Sequence, residues 1–292
     1  RQALVDIDAD VTLSLMPTAN VLCAIAAIGT KLVTVGSEHS YPPKERLKPW
    51  WHWLRKRTYF RHRRVTVLTI EAADWFEQNI TGCTVQVVPN PVQFPISGAE
   101  PIVLPHSIGL PGSCKYTLLA VGRLVASKGF DRLIEVFSRL VKDFPDWDLI
   151  ILGEGELRQR LQEQCVALEV AARVHLPGAV GNVGDWYQYA DVYVMTSRYE
   201  GFGNTLAEAL AYGLPAVAMD CDTGPRNIIR NGWNGLLVPD GDLSALENEL
   251  RLLMSDGSRR AALSVNAAEA RTRYAVGNIA GKWEKLFNEI VD

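Results

Sequence analysis

Short apolar runs alternate with amphipathic segments along this 292-residue chain. The runs have the length and the aliphatic, β-branched composition of buried strands, and most are followed by a segment with helical spacing of apolar residues. A chain that alternates strand and helix in this way forms parallel sheets covered by helices on both faces. The pattern therefore predicts an α/β protein.

The alternation occurs in two series, separated by residues 93–113, which are rich in Pro, Gly and Ser and indicate a linker. We predict domains at 1–112 and 113–275, and a last helix at 276–292 that returns to the first domain. The predicted strands are Val11–Leu15, Lys31–Gly36, Val65–Ile70, Thr84–Val88, Tyr116–Val121, Asp148–Leu152, Val174–Leu176, Val192–Thr196, Ala216–Met219 and Gly235–Val238. The predicted helices are Ala19–Ile28, Trp50–His62, Ala72–Asn79, Phe130–Asp143, Leu157–Leu168, Val183–Tyr189 and Thr205–Ala211, with more from Leu243 to the end.

Composition excludes several classes of protein. The net charge of −3 argues against nucleic-acid binding by the chain as a whole. The longest candidate membrane segment, Val21–Ile28, is far shorter than the roughly 18 residues that a spanning helix needs. An odd number of cysteines without a Cys-x-x-Cys pair favours neither a disulfide framework nor a zinc site, and indicates the cytoplasm. The five are Cys23, Cys83, Cys114, Cys165 and Cys221.

Two loops that lead from a strand into a helix carry charged residues. In one, Glu200 lies in a glycine-containing loop and Glu208 roughly one turn into the following helix, where two carboxylates can bracket a polyhydroxylated ligand. In the other, Arg123 and Lys128 lie five residues apart before a helix and form a clamp for a diphosphate. From spacing alone, each set is as consistent with solvated residues at an ordinary strand-to-helix turn.

Four motifs occur in order: Gly122-Arg123-Leu124 with Lys128-Gly129, Leu152-Gly153-Glu154-Gly155, Glu200 to Glu208, and Asn234-Gly235-Leu236-Leu237-Val238. Together they resemble the C-terminal domain of the family-4, group 1 retaining glycosyltransferases of GT-B fold, with the two glutamates in the family's Glu-x7-Glu motif. The resemblance covers residues 113–292 well and the first domain more loosely. It implies two Rossmann-like domains that face each other across a cleft, of which the first is incomplete.

The resemblance implies a role for each matching residue. The catalytic set would be Arg123 and Lys128 on the donor diphosphate, Glu200 on the donor sugar, and His39 reaching that sugar across the cleft, where many relatives carry a His. Glu208 would bind the ribose hydroxyls, and 178–180 would lie near the base. The donor-binding residues implied are Gly122, Gly178, Val180, Phe202, Gly203, Asn204, Thr205 and Glu208.

A basic and aromatic segment spans residues 44–64, with nine Lys or Arg against the single acid Glu45. Trp50, Trp51, Trp53, Tyr59 and Phe60 are interleaved with them. Such a segment suits an anionic membrane surface or the diphosphate of a lipid-linked acceptor, through Arg55, Lys56 and Arg57. A solvated helix with its tryptophans in the core, and a nucleic-acid site, remain alternatives. The stretch resembles enzymes that extend polyprenyl-linked oligosaccharides in bacterial surface-glycan and protein-glycosylation pathways.

The resemblance implies retaining transfer of a hexose or N-acetylhexosamine from a nucleotide diphosphate, with UDP preferred, to a glycan or polyprenyl-diphosphate-linked acceptor. A cytoplasmic enzyme at the inner face of the membrane is expected. No metal or other cofactor is expected, because the Asp-x-Asp string from Asp220 to Asp222 precedes a Gly-Pro loop. A GT-B nucleotide-sugar epimerase and a donor-binding but inactive fragment are the alternatives. First domains of this fold open with further β/α units, so roughly 70–90 upstream residues are expected.

Overall fold

The computed structural model describes residues 1–7, 9–45, 47–108 and 115–291. It contains two parallel sheets, one of four strands and one of six. Arg46, Cys114 and the end of the predicted linker, 109–113, lie outside the described residues. None of the helices in the described ranges is both long and apolar enough to span a membrane.

The first sheet has the strand order β1-β2-β3-β4, so each strand pairs with the next one along the chain. Its strands are β1 Thr12–Leu15, β2 Thr34–Glu38, β3 Arg64–Val67 and β4 Val85–Val87. The helices of this half are α1 Gln2–Asp6, α2 Pro17–Ala26, α3 Pro49–Thr58 and α4 Ile70–Asn79. Two short 3-10 turns, Pro42–Lys44 and Tyr59–Arg61, flank α3.

The second sheet has the order β10-β9-β8-β5-β6-β7. Its strands are β5 Tyr116–Val121, β6 Trp147–Leu152, β7 Val174–Gly178, β8 Val192–Met195, β9 Ala216–Asp220 and β10 Leu236–Pro239. The helices are α5 Phe130–Leu140, α6 Arg158–Ala167, α7 Val183–Tyr189, α8 Asn204–Ala211, α9 Pro225–Ile228, α10 Leu243–Ser255, α11 Gly257–Ala267, α12 Ala270–Arg273 and α13 Val276–Val291. This is the doubly wound order, which reverses direction between β5 and β8 and leaves a crevice at their carboxyl ends.

Apolar packing on both faces of each sheet accounts for the continuous apolar runs in the sequence. In the first half, Tyr59, Val65 and Phe76 pack together on one face. On the other face, Val35 of β2 packs against Ile279 and Leu286 of α13, so the last helix covers the first sheet. Because α13 follows the second sheet in sequence, it ties the two halves together.

Polar contacts also join the halves. Thr69, at the start of α4, lies 2.6 Å from the hydroxyl of Thr223. Asn227 donates to Glu71 at 2.6 Å, and Lys44 pairs with Asp222 at 3.0 Å. All of these residues follow strand ends, so the carboxyl edges of the two sheets face each other.

The predicted elements differ from the structure mainly near charged residues. The second strand was predicted at Lys31–Gly36, but β2 is Thr34–Glu38 and includes the buried Glu38. Hydropathy does not place an acid in a buried strand, and Arg55 and Tyr59 supply its partners. The helix predicted at Trp50–His62 ends at Thr58 and continues as a 3-10 turn.

Candidate active site

Two cavities lie at the carboxyl ends of the strands. The sheet cavity, of about 380 Å³, is lined among others by Gly122, Leu152, Val180, Thr205 and Glu208. The cleft cavity, of about 360 Å³, lies between the halves and is lined among others by His39, Lys44, Lys128, Tyr199 and Glu200. Arg123 lines both cavities, so a ligand that extends from one to the other passes its guanidinium.

The ammonium of Lys128 and the carboxylate of Glu200 form the closest charged pair in the cleft cavity, with Nζ 2.6 Å from Oε1. Ser197 donates to the same carboxylate oxygen at 2.7 Å. Lys128 ends the 3-10 turn before α5, and its aliphatic chain runs across Gly122. The turn and the strand end therefore aim its charge at the cleft.

Arg123 is the complementary cation, because it is exposed and has no carboxylate within ion-pair distance among the residues that the structure describes. Lys128, by contrast, is already neutralised by Glu200. A diphosphate between the two cavities can bind the guanidinium of Arg123 directly and can compete with Glu200 for the ammonium of Lys128. The site thus has two cations for one bound anion.

Glu208 faces the sheet cavity from α8. The hydroxyl of Tyr187, on α7, donates to its Oε2 at 3.0 Å. Burial raises the pKa of Glu208 above its ordinary value, and the hydrogen bond from Tyr187 offsets part of this rise. The carboxylate is held in one orientation, with its remaining acceptor capacity directed at the cavity.

The start of α8 supplies backbone donors to the same place. Gly203 precedes the helix with φ of 103°, a left-handed conformation that favours glycine. Thr205, in the first turn, lines the sheet cavity, and its hydroxyl oxygen accepts from Tyr193 at 2.8 Å. The unpaired N–H groups of a first helical turn attract anionic groups.

His39 enters the cleft cavity from the first half, directly after β2. Its Nε2 lies 3.2 Å from the hydroxyl oxygen of Ser37, and burial lowers its pKa, which favours the neutral ring. The carbonyl of His39 packs against Gly201, where a Cβ atom would lie only 2.2 Å from that oxygen. The two walls of the cleft thus touch at Gly201, next to Glu200.

Several residues of the expected donor set lie outside both cavities. The ring of Phe202 is buried against Tyr274, with their centroids 5.4 Å apart. Asn204 accepts a hydrogen bond from Asn90 at 3.0 Å, across the two halves. Gly178 lies beside the side chain of Glu154, while the following residues Ala179 and Val180 line the sheet cavity.

The structure corrects the prediction for Arg55. Its side chain is fully buried rather than exposed with Lys56 and Arg57. It pairs with Glu45, and its Nε lies 3.7 Å from Glu38. Two buried or half-buried carboxylates need a cation in the interior, and α3 supplies it. Arg55 is therefore part of the core of the first half and does not take part in a surface site.

The two aspartates of the Asp-x-Asp string are each paired with a cation. Asp220 accepts from Arg226 at 2.8 Å, and Asp222 pairs with Lys44. Among the described residues, no group of three or more His, Cys, Asp or Glu side chains is placed to hold a metal ion.

Sequence reasoning missed Tyr187 as a partner of the site. It is buried, and its ring packs on Tyr193 and Tyr212. An aromatic residue on a short helix carries no signal that its hydroxyl reaches a carboxylate on the next helix. The contact arises only when α7 and α8 pack side by side.

The comparison with protein families identifies the second half. Residues 110–270 match the glycosyl transferases group 1. The chain belongs to this family. The family prediction from the four motifs is therefore confirmed.

Two bacterial proteins match a large part of the chain. An exopolysaccharide phosphotransferase of Streptomyces coelicolor is 33% identical over 228 residues, which is 78% of this chain and 23% of that protein. An uncharacterized glycosyltransferase of Haemophilus influenzae is 30% identical over 170 residues, 58% of this chain and 48% of that protein. This glycosyl transferase chain thus spans a quarter to a half of these two relatives.

A third relative matches along nearly the whole chain. It is the GalNAc-alpha-(1->4)-GalNAc-alpha-(1->3)-diNAcBac-PP-undecaprenol alpha-1,4-N-acetyl-D-galactosaminyltransferase of Campylobacter jejuni. It is 28% identical over 292 residues, 99% of this chain and 77% of that protein.

Among solved structures, HepE of Anabaena in complex with UDP superposes with a TM-score of 0.88 at 20% identity, covering 99% of this chain and 81% of that one. TarM superposes with a TM-score of 0.81 at 20% identity, covering 98% and 57%. These likenesses confirm the prediction of two Rossmann-like halves in the GT-B arrangement.

Proposed function

We propose that this chain transfers a hexose or N-acetylhexosamine from a UDP-sugar to a hydroxyl of a glycan or lipid-linked saccharide, with retention of configuration. The observation that carries the proposal is the arrangement of Arg123 between the two cavities and of the Lys128–Glu200 pair in the cleft. A nucleotide bound in the sheet cavity places its diphosphate at these two cations. Its sugar then lies in the cleft cavity, between Glu200 and His39.

The donor's nucleoside is assigned to the sheet cavity for two reasons. Glu208 offers a fixed carboxylate to paired ribose hydroxyls, and the neighbouring wall of Leu152 and Val180 suits a flat base. The GT-B relative HepE, whose structure contains UDP, supports uridine as the base.

Departure of the diphosphate is the step that these residues promote. As the bond from the anomeric carbon to the phosphate oxygen breaks, negative charge grows on that oxygen, and Arg123, Lys128 and the start of α8 stabilise it. Because these cations lie within the chain itself, we propose that no metal ion is required. Full activity in the presence of EDTA is the expected result, and loss that Mg²⁺ or Mn²⁺ restores would contradict it.

Retention follows if the acceptor attacks on the face from which the diphosphate leaves. The bond between the acceptor oxygen and the anomeric carbon forms as the bond to phosphate breaks, and the acceptor's proton passes to the departing phosphate oxygen. This route needs no side-chain nucleophile. Glu200 and the neutral His39 orient the sugar hydroxyls during the step.

The acceptor side is assigned to the first half. Trp50 and Trp53 are 50% and 58% exposed, and Lys56 and Arg57 lie beside them on α3 without a carboxylate partner among the described residues. We propose that this face contacts an anionic membrane and brings the enzyme to a polyprenyl-diphosphate-linked acceptor, as the name of the Campylobacter relative suggests.

Calorimetric titration with UDP and GDP tests the donor site. We expect UDP to bind, and Glu208→Ala to abolish the binding while Glu284→Ala, an exposed glutamate on α13, leaves it unchanged. UDP binding that survives Glu208→Ala would contradict the assignment of the nucleoside. Preference for GDP would change the base and keep the site.

Turnover tests the reaction. Release of UDP from a UDP-sugar should depend on an added acceptor and fall at least about a hundredfold in Lys128→Ala, since a group that stabilises transition-state charge contributes roughly that much. Lys142→Ala, which removes an exposed lysine of the second half, is the control. Conversion of the sugar without an acceptor would indicate an epimerase, and binding without turnover an inactive fragment.

A further inference from the structure

A third cavity, of about 470 Å³, lies at the amino-terminal end of the first sheet. Arg61, Arg63 and Arg64 line it together with Phe60 and Thr84. No Asp or Glu is among its lining residues. We refer to it as the arginine cavity.

The three arginines lack counter-ions. Among the residues that the structure describes, no carboxylate lies within 4.0 Å of any of their guanidinium groups. Arg64 donates to the carbonyl of Arg63 at 3.1 Å, and Arg61 lies 4.9 Å above the ring of Phe60. Like charges that share a cavity repel each other, and a bound anion converts this repulsion into attraction.

Two other cations of the same segment are neutralised by carboxylates. Lys44 pairs with Asp222 of the second half, and Arg55 pairs with Glu45. Lys56 and Arg57 on α3, like the three arginines, have no carboxylate partner among the described residues. The three arginines are set apart because they line one cavity together.

His62 forms part of the wall but does not contribute charge. Its Nε2 donates to the carbonyl of Asn20 at 3.1 Å, and the hydroxyl of Thr34 donates to its Nδ1 at 3.0 Å. Burial lowers the pKa of His62 to about 4. The His62 ring is therefore neutral and held in place by two hydrogen bonds, so the positive charge of the cavity comes from the arginines.

The arginine cavity is separate from the active site. Thr34 and Arg64 begin β2 and β3, whereas His39 follows the opposite end of β2. A strand of five residues is roughly 16 Å long. A ligand in the arginine cavity is therefore neither the donor nor the acceptor bound in the cleft.

We propose that the arginine cavity binds a phosphate group. Guanidinium groups match the oxygens of phosphate with paired hydrogen bonds, and the free hydroxyl of Thr84 adds a donor. The phosphate belongs to a membrane phospholipid, because Phe60, which is 48% exposed, adds an apolar side chain to the wall of the cavity. An exposed apolar side chain stabilises contact with acyl chains and contributes nothing to the binding of free phosphate. The proposal does not depend on the transferase reaction.

Vesicle co-sedimentation tests the site with two variants of equal charge. The first carries Arg61→Gln, Arg63→Gln and Arg64→Gln. The second carries Lys142→Gln, Arg160→Gln and Lys282→Gln, three exposed cations that do not line the cavity and have no carboxylate partner among the described residues. Vesicles of phosphatidylcholine with phosphatidic acid are compared with vesicles in which oleate supplies the same charge. Calorimetry with inorganic phosphate tests binding without a membrane, and circular dichroism with urea denaturation checks that each variant is folded.

We expect wild type to prefer the phosphatidic acid vesicles, and the arginine variant to bind them roughly a hundredfold more weakly, at about fivefold for each cation. The control variant should lose less than about threefold, because its exposed charges do not line the cavity and are screened by salt. A parallel loss of inorganic phosphate binding in the arginine variant alone would support the site and assign it to free phosphate. Equal losses in both variants, equal binding to oleate vesicles, or no binding of wild type in either arm would overturn the proposal. If Arg64 is needed for folding, the double variant Arg61→Gln/Arg63→Gln, which changes only exposed side chains, is compared with Lys142→Gln/Arg160→Gln.

Discussion

The hydroxyl of Tyr187 donates a 3.0 Å hydrogen bond to Oε2 of Glu208, and so one buried side chain orients the carboxylate assigned to the donor's ribose. Tyr187 contacts Glu208 from α7, the helix that precedes β8 in sequence. Its ring is fixed in turn by the surrounding tyrosines. The position of Glu208 is therefore set by the packing of α7 against α8 as well as by its own helix.

Tyr187→Phe should weaken UDP binding about tenfold, because a hydrogen bond to a charged group contributes about 1.5 kcal/mol and the ring itself is retained. Calorimetry measures the dissociation constant. Tyr274→Phe is the matched control: it also removes a buried hydroxyl, one that donates to the carbonyl of Asn227 at 3.0 Å, away from the sheet cavity. If both variants bind UDP equally well, Tyr187 does not position Glu208.

The contact between Gly201 and His39 yields a second prediction. A Cβ atom at position 201 would lie 2.2 Å from the His39 carbonyl oxygen, so Gly201→Ala must push the two walls of the cleft apart. We expect turnover to fall at least tenfold, since misplacement of a catalytic group by about 1 Å has effects of that size or larger. UDP binding should change little, because Gly201 does not line the sheet cavity.

Gly281→Ala serves as the control for that experiment, since nothing lies within 4 Å of a Cβ atom built at this position of α13. It should leave turnover unchanged and stabilise the helix slightly. Turnover of Gly201→Ala at the wild-type level would show that the cleft tolerates separation of its walls.

The sequence predicts the parts of the site that follow directly from parallel strands. Arg123, Lys128 and Glu208 all follow strands of the second sheet, and the carboxyl ends of parallel strands meet at one edge. Spacing along the chain was therefore sufficient to bring them together. The burial of the Phe202 ring was harder to predict, because the ring packs on Tyr274, which lies about 70 residues later in the chain.

The environment of α3 was less predictable. The three tryptophans favour burial of their own face, but Trp50 and Trp53 are exposed, and the buried residues of the helix are Arg55 and Thr58. The helix has this orientation because Glu38 and Glu45 lie beneath it. The spacing of apolar residues cannot predict a buried face that is formed by an ion pair. Burial of that face depends on Glu38 in β2 and Glu45 in the following loop, which lie outside the helix.

Arg55→Gln should therefore destabilise the protein by about 3 kcal/mol, because it leaves Glu38 and Glu45 without a cation in the interior. The neighbouring change Lys56→Gln, on the exposed face, should alter the free energy of unfolding by less than about 0.5 kcal/mol. Urea denaturation of the two variants, which differ by one position and have the same net charge, measures the difference. Equal stability would mean that Arg55 is dispensable and that the correction to its role is wrong.

The pH dependence of stability gives the last prediction. Burial raises the pKa of Glu38 to about 7, against the opposing effects of Arg55 and Tyr59. The folded chain thus retains a proton that the unfolded chain releases near its ordinary pKa of 4.5. The contribution of Glu38 to stability is fully present below about pH 4.5 and is lost as the pH rises through about 7, by about 3 kcal/mol in total.

Glu38→Gln keeps the shape of the protonated acid and an acceptor for Tyr59 but cannot ionise. We measure the free energy of unfolding of both proteins in urea at pH 5 and at pH 7.5. Wild type should lose stability relative to Glu38→Gln as the pH rises. Arg55 must remain unchanged in this comparison, because it is the cation that lowers the pKa of Glu38. Parallel pH profiles for the two proteins would show that Glu38 is already ionised at pH 5, held so by Arg55, and would make the buried pair a full salt bridge throughout the physiological range.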